Sequence, residues 1–315
     1  MTDANDSIIG VILAAGKGSR MSLLPTRLPK PVLPVLGEPL LYHQLRAMAS
    51  VGIRHVYIVV GERGYEVVRE IERLPGLGLS IDYVEQGETH GIAHCVGCLE
   101  PHIDRPFLLF LGDIYFVAPR LKDMLQEFEP GGVDAVLAAF EESSVEAIRR
   151  NFCIVTDETG RAMRVIEKPR RPRSMVKGVG LYLFSPVVFD AIRRTPRTAM
   201  RDEYEITDSI QIMIDDECEV RVSMCVENDL NVTGPRDLLD INLDAMRHEG
   251  AVRFLGEDVE LGDAAVVEEA VVGARARIGN GAQVRRAVVF RDVAVPDGAR
   301  IEQAVVTENG VCRVE

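Results

Sequence analysis

The stretch Ile8-Ile9-Gly10-Val11-Ile12-Leu13-Ala14-Ala15-Gly16-Lys17-Gly18-Ser19-Arg20-Met21 decides how the N-terminal part of this chain is read. Ile8 to Ala15 is a short apolar run without polar alternation, and it stops at a glycine cluster. Such a run reads as a strand buried on both faces, as in a parallel sheet. A glycine-rich loop directly after a strand exposes successive backbone N–H groups that can cradle phosphates. The spacing from glycine to Lys17 and Ser19 is not that of a Walker loop, and the third glycine of a dinucleotide fingerprint is missing. Arg20 and Lys30 add the cations that a polyphosphate requires, and Pro29 and Pro31 restrict the backbone on both sides of Lys30.

Downstream of that loop, helical and strand patterns alternate. Pro39–Val51 has helical spacing and stops at Gly52, and Val56–Val60 is a second buried strand. A helix over Tyr65–Leu74, a strand over Ile81–Glu85, a helix over Ile92–Leu99 and a strand over Phe107–Leu111 follow, the last stopping at Gly112-Asp113. Alternation of this kind predicts an α/β class with a mostly parallel sheet. Strand patterns then dominate: Val133–Ala139, Ile154–Asp157, Ala162–Glu167 and Val179–Phe184 extend the sheet and build a second lobe. A helix is expected over Arg236–Arg247, ended by Gly250.

After Gly250 the period changes. Val266, Val272, Ile278, Val284 and Phe290 recur at every sixth position, with Ala270, Ala276, Ala282, Val288 and Ala294 four residues after each. A five-residue step leads on to Val295 and Ile301. This is the hexapeptide pattern of a parallel β-helix, in which one aliphatic side chain fills each side of a triangular coil. The expected division is 1–250 for the α/β domain and 251–315 for the β-helix. The β-helix contains no histidine for acyl-transfer chemistry, so assembly or support of the α/β part is its expected role.

A net charge of -13 argues against a nucleic-acid partner, but a phosphate pocket needs only a few local cations. The lysines are Lys17, Lys30, Lys122, Lys168 and Lys177, against abundant arginine, and three of them fall inside the motifs described here. Cys95, Cys98, Cys153, Cys218, Cys225 and Cys312 are scattered, with no secreted framework. Asp3 and Asp6 before the first apolar run are the wrong flank for a signal peptide, and no segment is long enough to span a membrane. The expectation is a cytoplasmic protein.

Leu-Ala-Ala-Gly-Lys-Gly-Ser-Arg-Met over Leu13–Met21, followed by Pro29-Lys30-Pro31, resembles the signature of the sugar nucleotidyltransferases, the NDP-sugar pyrophosphorylases. Later motifs agree in order. Gln86 with Gly91-Ile92-Ala93-His94 resembles the base-reading segment, and Leu111-Gly112-Asp113 the metal-binding turn. Glu167-Lys168-Pro169 resembles the sugar-phosphate motif; Gly180-Leu181-Tyr182-Leu183-Phe184 and Glu205-Ile206-Thr207-Asp208 resemble two further segments. The hexapeptide tail resembles that of long-form glucose-1-phosphate thymidylyltransferases.

The resemblance implies a GT-A-like α/β domain followed by a short left-handed β-helix. It also implies transfer of a nucleotidyl group from an NTP to a sugar 1-phosphate, by a homo-oligomer that uses Mg2+. Arg20, Lys30 and Asp113 are then catalytic. Leu13, Ala14, Ala15, Gly16, Lys17, Gly18, Ser19, Gln86, Gly91 and Ile92 bind the nucleotide. Gly112, Cys153, Glu167, Lys168 and Gly180 bind the sugar phosphate, and Asp113 and Asn231 hold the metal.

Some positions depart from the family pattern. Asn231, in Asn231-Val232-Thr233-Gly234-Pro235, stands where a second metal-binding aspartate is usual, with Asp229 as a fallback. Phe152-Cys153 replaces an aromatic-glycine pair, which places a side chain near the expected sugar site. His90, His94 and Cys98 lie four apart and could suggest zinc, but nucleotide contact and core packing account for that helix. A non-catalytic regulatory subunit of the same fold is the alternative, and this chain keeps the cations and Asp113 that such relatives lose. Gln86 suits the imide edge of thymine or uracil, which differ by one methyl worth about 0.8 kcal/mol. Guanylyl and cytidylyl transfer stay open at this point, as does the sugar, with glucose 1-phosphate the default.

Overall fold

The computed structural model describes residues 7–16, 24–88, 90–128, 132–198 and 202–314. The chain forms two compact units that interleave along the sequence. One comprises Met1–Gly16, Gln44–Gly64 and Pro75–Asp229; the other comprises Lys17–His43, Tyr65–Leu74 and Leu230–Glu315.

The first unit is built on a nine-stranded sheet. Its strands are β1 Ile9–Ala14, β2 His55–Val60, β3 Ser80–Glu85, β4 Phe107–Leu111, β5 Ala135–Glu141, β6 Phe152–Thr156, β7 Ala162–Glu167, β8 Val176–Phe184 and β9 Val220–Ser223. They run in the order β7-β6-β8-β4-β1-β2-β3, with β5 on β8 and β9 on β5. The stretch β3-β2-β1-β4 is parallel throughout. Beyond it β8 is antiparallel to β4, β5 and β6. The apolar run from Ile9 thus lies in the middle of the sheet, where a strand covered on both faces can be hydrophobic throughout.

The helices are α1 Leu40–Ser50, α2 Gly64–Glu72, α3 Ile92–Gly97, α4 Leu121–Phe128, α5 Val145–Arg150, α6 Val188–Arg194, α7 Ile206–Asp215 and α8 Pro235–His248. Gly10 explains how closely α1 packs. A Cβ there would lie 2.7 Å from the Met48 sulfur and 2.9 Å from Val56 Cγ2. On the other side of the core, Phe107, Phe184, Phe189 and Tyr182 form a chain of rings with centroids 5.5–5.8 Å apart. No described helix is long and apolar enough to cross a membrane.

The second unit contains α8 and the parallel β-helix. One face stacks Phe254, Val271, Val288 and Val305 in register. The next stacks Glu260, Arg277 and Ala294, and the third Val266, Gln283 and Arg300. Neighbouring coils are therefore offset by 17 residues, as the corner pairs Arg275–Asp292 and Asn280–Asp297 also are. This corrects the strict six-residue period expected over Val266–Phe290, because a five-residue step recurs in every coil. The inward row consequently passes through Val267 and Val289, while Val266 is only half-buried. Three columns of left-handed residues turn the corners: Asp258, Arg275 and Asp292; Ala264, Gly281 and Gly298; Glu269, Arg286 and Gln303. Ala270, Ala276 and Ala282 follow three of these corners and are fully buried, as the small-residue row requires.

The same unit holds the segment that carries Lys30. Asn242 on α8 has no exposed surface; its amide donates to the Pro34 carbonyl and its oxygen accepts from the Leu36 N–H, both at 2.9 Å. Glu70 of α2 is buried and ion-paired with Arg73 and with Arg291 of the β-helix.

Candidate active site

In the first unit, the C-terminal ends of β1 and β4 meet where ligands bind in open parallel sheets. The Gly112 N–H donates to the Leu13 carbonyl at 2.9 Å, and a Cβ on Gly112 would lie 2.6 Å from that oxygen. Glycine is thus required for the turn to lie against Leu13 and Ala14, and Asp113 follows at once. Gln44 braces the turn from α1. It is buried, and its Nε2 donates to the carbonyls of Leu111 and Ile114, both at 2.8 Å, one on each side of Gly112-Asp113. Sequence reasoning missed Gln44, which reads as an ordinary helical position. Leu13, Ala14, Ala15 and Gly16 are described and lead toward the glycine-rich loop. Lys17, Gly18, Ser19 and Arg20 lie outside the described residues.

A second cluster gathers Gln86, Gly91, Ile92 and His94. The Gln86 amide is 3.2 Å from His94 Nδ1, and its Oε1 is buried without a hydrogen-bond partner among the described residues. Gly91 has φ +106°, and a Cβ there would lie 2.5 Å from the Tyr204 carbonyl oxygen. Two backbone bonds explain that close approach: Tyr204 N–H to His90 O at 2.7 Å and Ala93 N–H to Tyr204 O at 3.0 Å. Tyr204 stacks on His94, and Arg197 lies over the Tyr204 ring. Burial, then His90 and Arg197, hold the His94 imidazole below its ordinary pKa, which favours a neutral ring. Burial pushes the Cys95 thiol up to about 12 and raises that of Cys98.

A third cluster surrounds Glu167 and Lys168. Their side chains are paired at 3.3 Å, and Thr207 of α7 donates to Glu167 Oε2 at 3.4 Å. This contact brings the Glu-Lys-Pro and Glu-Ile-Thr-Asp motifs together. Lys168 has φ +41°, and its N–H donates to the Asn151 carbonyl at 2.7 Å, which fixes the backbone from which the ammonium projects. Gly180 underlies β4: a Cβ there would lie 2.5 Å from Leu111 Cδ1. Cys153 is placed in the core with no exposed surface, opposite Lys177 in the β6–β8 register.

Lys177 and Asp229 form an ion pair with side chains only 5% and 1% exposed. The ammonium also sits 4.9 Å from the Phe140 ring centroid. Burial raises the Asp229 pKa, while Lys177 and its hydrogen bond pull it back down. Asp229, a candidate fallback metal ligand, is thus already engaged by a buried cation, and Lys177 escaped sequence reasoning because it lies in no motif.

In the second unit Lys30 opens a single 3-10 turn, Lys30–Val32, after extended Pro29. The Leu33 N–H donates to the Lys30 carbonyl at 3.1 Å, and Pro31 and Val32 are buried beneath it. Asn231 is half-buried just ahead of α8, where Asp237 accepts from the N–H groups of Thr233 and Gly234, each at 2.8 Å. Among the described residues no group of three or more His, Cys, Asp and Glu could hold a metal. Asp113 and Asn231 offer one carboxylate and one amide oxygen. Each is an oxygen donor of the kind that hard cations take.

The parallel sheet, the turn at its strand ends and the attached β-helix define a nucleotide-handling α/β enzyme with a hexapeptide-repeat domain. The sequence model of the nucleotidyl transferase family matches residues 9–245, and that of GlmU-like C-terminal hexapeptide domains matches 249–313. The chain belongs to the nucleotidyl transferase family. It is 32% identical over 286 residues to a glucose-1-phosphate thymidylyltransferase of Streptomyces griseus, covering 85% of this chain and 78% of that protein. It is 34% identical over 239 residues to the low-salt glycan biosynthesis nucleotidyltransferase Agl11 of Haloferax volcanii, covering 74% of this chain and 64% of that protein. A crystal structure from Bacillus anthracis, assigned as a glucose-1-phosphate thymidylyltransferase, superposes with a TM-score of 0.66 at 25% identity, covering 76% of this chain and 95% of that one.

Proposed function

We propose that this chain is a sugar-1-phosphate nucleotidyltransferase. It transfers thymidylyl or uridylyl from dTTP or UTP to a sugar 1-phosphate, glucose 1-phosphate by default, and gives NDP-sugar and pyrophosphate. The observation that carries this reading is the Gly112-Asp113 turn, held by Gln44 against the strand that leads into the glycine-rich loop. A sugar phosphate oxygen attacks the α-phosphorus in line and pyrophosphate leaves. Both reactants are anions, so charge neutralisation and alignment dominate the catalysis.

Lys30 and Arg20 neutralise the triphosphate and the departing pyrophosphate. Lys168 takes the sugar phosphate, and Glu167, oriented by Thr207, accepts from a sugar hydroxyl. Gln86 reads the imide edge of the base, with neutral His94 holding one end of its amide. Asp113 and Asn231 would hold Mg2+, which when bound draws negative charge from the phosphate oxygens. The protein works in the cytoplasm as a homo-oligomer, without a nucleic-acid or membrane partner. Incubating the purified chain with each of four NTPs and a panel of sugar 1-phosphates tests the reading. Pyrophosphate release is expected with dTTP or UTP. Release with no pair would remove the proposal, and release with GTP or CTP alone would overturn the base assignment.

A further inference from the structure

Residues 24–28 lead into Pro29-Lys30-Pro31, and the last coil of the β-helix grips them. Thr307 ends the strand Arg300–Thr307 and is 3% exposed; its hydroxyl donates to the Pro25 carbonyl. The Thr26 hydroxyl donates to Glu308 Oε1 at 3.0 Å, and the Arg27 N–H approaches the same oxygen at 3.5 Å. The Asn309 amide donates to that oxygen as well, at 3.2 Å, which steadies the carboxylate. Thr26 passes the constraint on, because its hydroxyl oxygen accepts from the Leu28 N–H at 3.3 Å. The gripping residues sit on a hairpin whose register runs from Ala304–Arg313 to Thr307–Gly310. Contacts across 282 positions of sequence thus fix the backbone that delivers Lys30.

We infer that Thr307 and Glu308 are positioning residues for Lys30, so that the end of the β-helix sets the alignment of a cation used in nucleotidyl transfer. The inference rests on the proposed function, in which Lys30 acts on the triphosphate. A lysine ammonium rides on a flexible stem, so its placement depends on a fixed Cα, and misplacing a catalytic group by about 1 Å can cost roughly a hundredfold in rate. Single hydrogen bonds contribute little to global stability, yet three converging on one loop set its conformation.

A double-mutant cycle on the full-length protein tests the inference. The double variant Thr307→Val/Glu308→Ala should fold with an unchanged far-UV spectrum and lower kcat about tenfold, with the KM for sugar 1-phosphate unchanged. In a Lys30→Met background the same pair should lower kcat by less than about twofold, because the cation it places is already gone. Glu308→Gln keeps the accepting oxygen and should retain near wild-type kcat. Amide exchange at residues 24–30 should speed up in the double variant without substrate. Full multiplicativity with Lys30→Met, or unchanged exchange at residues 24–30, overturns the positioning role. A wild-type chain that releases no pyrophosphate overturns the proposed function instead, and the exchange measurement then judges the grip by itself.

Discussion

The β-helix and the nine-stranded sheet are held together in different ways. In the β-helix each coil repeats the one before, and the same backbone bonds, left-handed corners and buried alanines recur at 17-residue intervals. Each rung therefore contributes similarly to stability. In the sheet, specific polar contacts occur once each: Gln44 across the Asp113 turn, Lys177 against Asp229, Thr207 on Glu167. Away from the hairpin that grips residues 24–28, damage in the repeat should therefore be graded and structural. Damage in the sheet should be local, large and, at the strand ends, catalytic.

The largest effect expected is that of Asp113→Ala. Turnover should fall on the order of a thousandfold or more, with the fold intact. Retention of more than about a tenth of wild-type turnover at saturating magnesium would remove Asp113 from its proposed role.

Lys177→Met should come next. It leaves Asp229 buried and charged without its partner, which costs about 3–5 kcal/mol of stability in denaturant titrations at neutral pH. The pH dependence has a definite sign. Asp229 has a raised folded pKa, so the folded state holds its proton more tightly than the unfolded state. The penalty for burying the anion is complete above the folded pKa and vanishes below the unfolded value. The deficit of Lys177→Met relative to wild type should thus shrink as pH falls toward the ordinary carboxylate range. A deficit that grows on acidification would mean that the pair is not what stabilises this region.

Lys168→Met should raise the KM for sugar 1-phosphate at least about tenfold while changing the KM for NTP little. The reverse pattern would exchange the proposed roles of Lys168 and Lys30. The smallest effect belongs to the repeat. Val284→Ala, at a fully buried inward position, should cost about 2 kcal/mol without altering either KM. A change in kcat there larger than the loss of folded protein would show that the repeat is less modular than its symmetry suggests.

Much of this architecture was legible in sequence because its causes are local. Phe107–Leu111 and Ala162–Glu167 have the bounds their apolar patterns predict, and β1 and α8 differ by only a residue or so at each end. The β-helix was legible as a repeat, but its phase was not. Five-residue steps recur in every coil, and adjacent valines such as Val266 and Val267 fit either row. The order of strands beyond β4 left no local signature. Gln44 and Lys177 stayed hidden for a related reason: each owes its role to partners 67 and 52 residues away. Cys153 shows the converse. Its place in a motif suggested a sugar contact, yet the β6–β8 register puts it in the core.

Nucleotidyl transfer itself is tested most directly in reverse. With magnesium, labelled pyrophosphate and a nucleoside diphosphate glucose, the chain should form labelled NTP together with glucose 1-phosphate, from the thymidine or uridine compound. Label should not enter NTP when no sugar phosphate or NDP-sugar is present, because in-line displacement requires both partners. A folded protein that produces no labelled NTP from any NDP-sugar, or that exchanges label into NTP without a sugar substrate, would contradict the account.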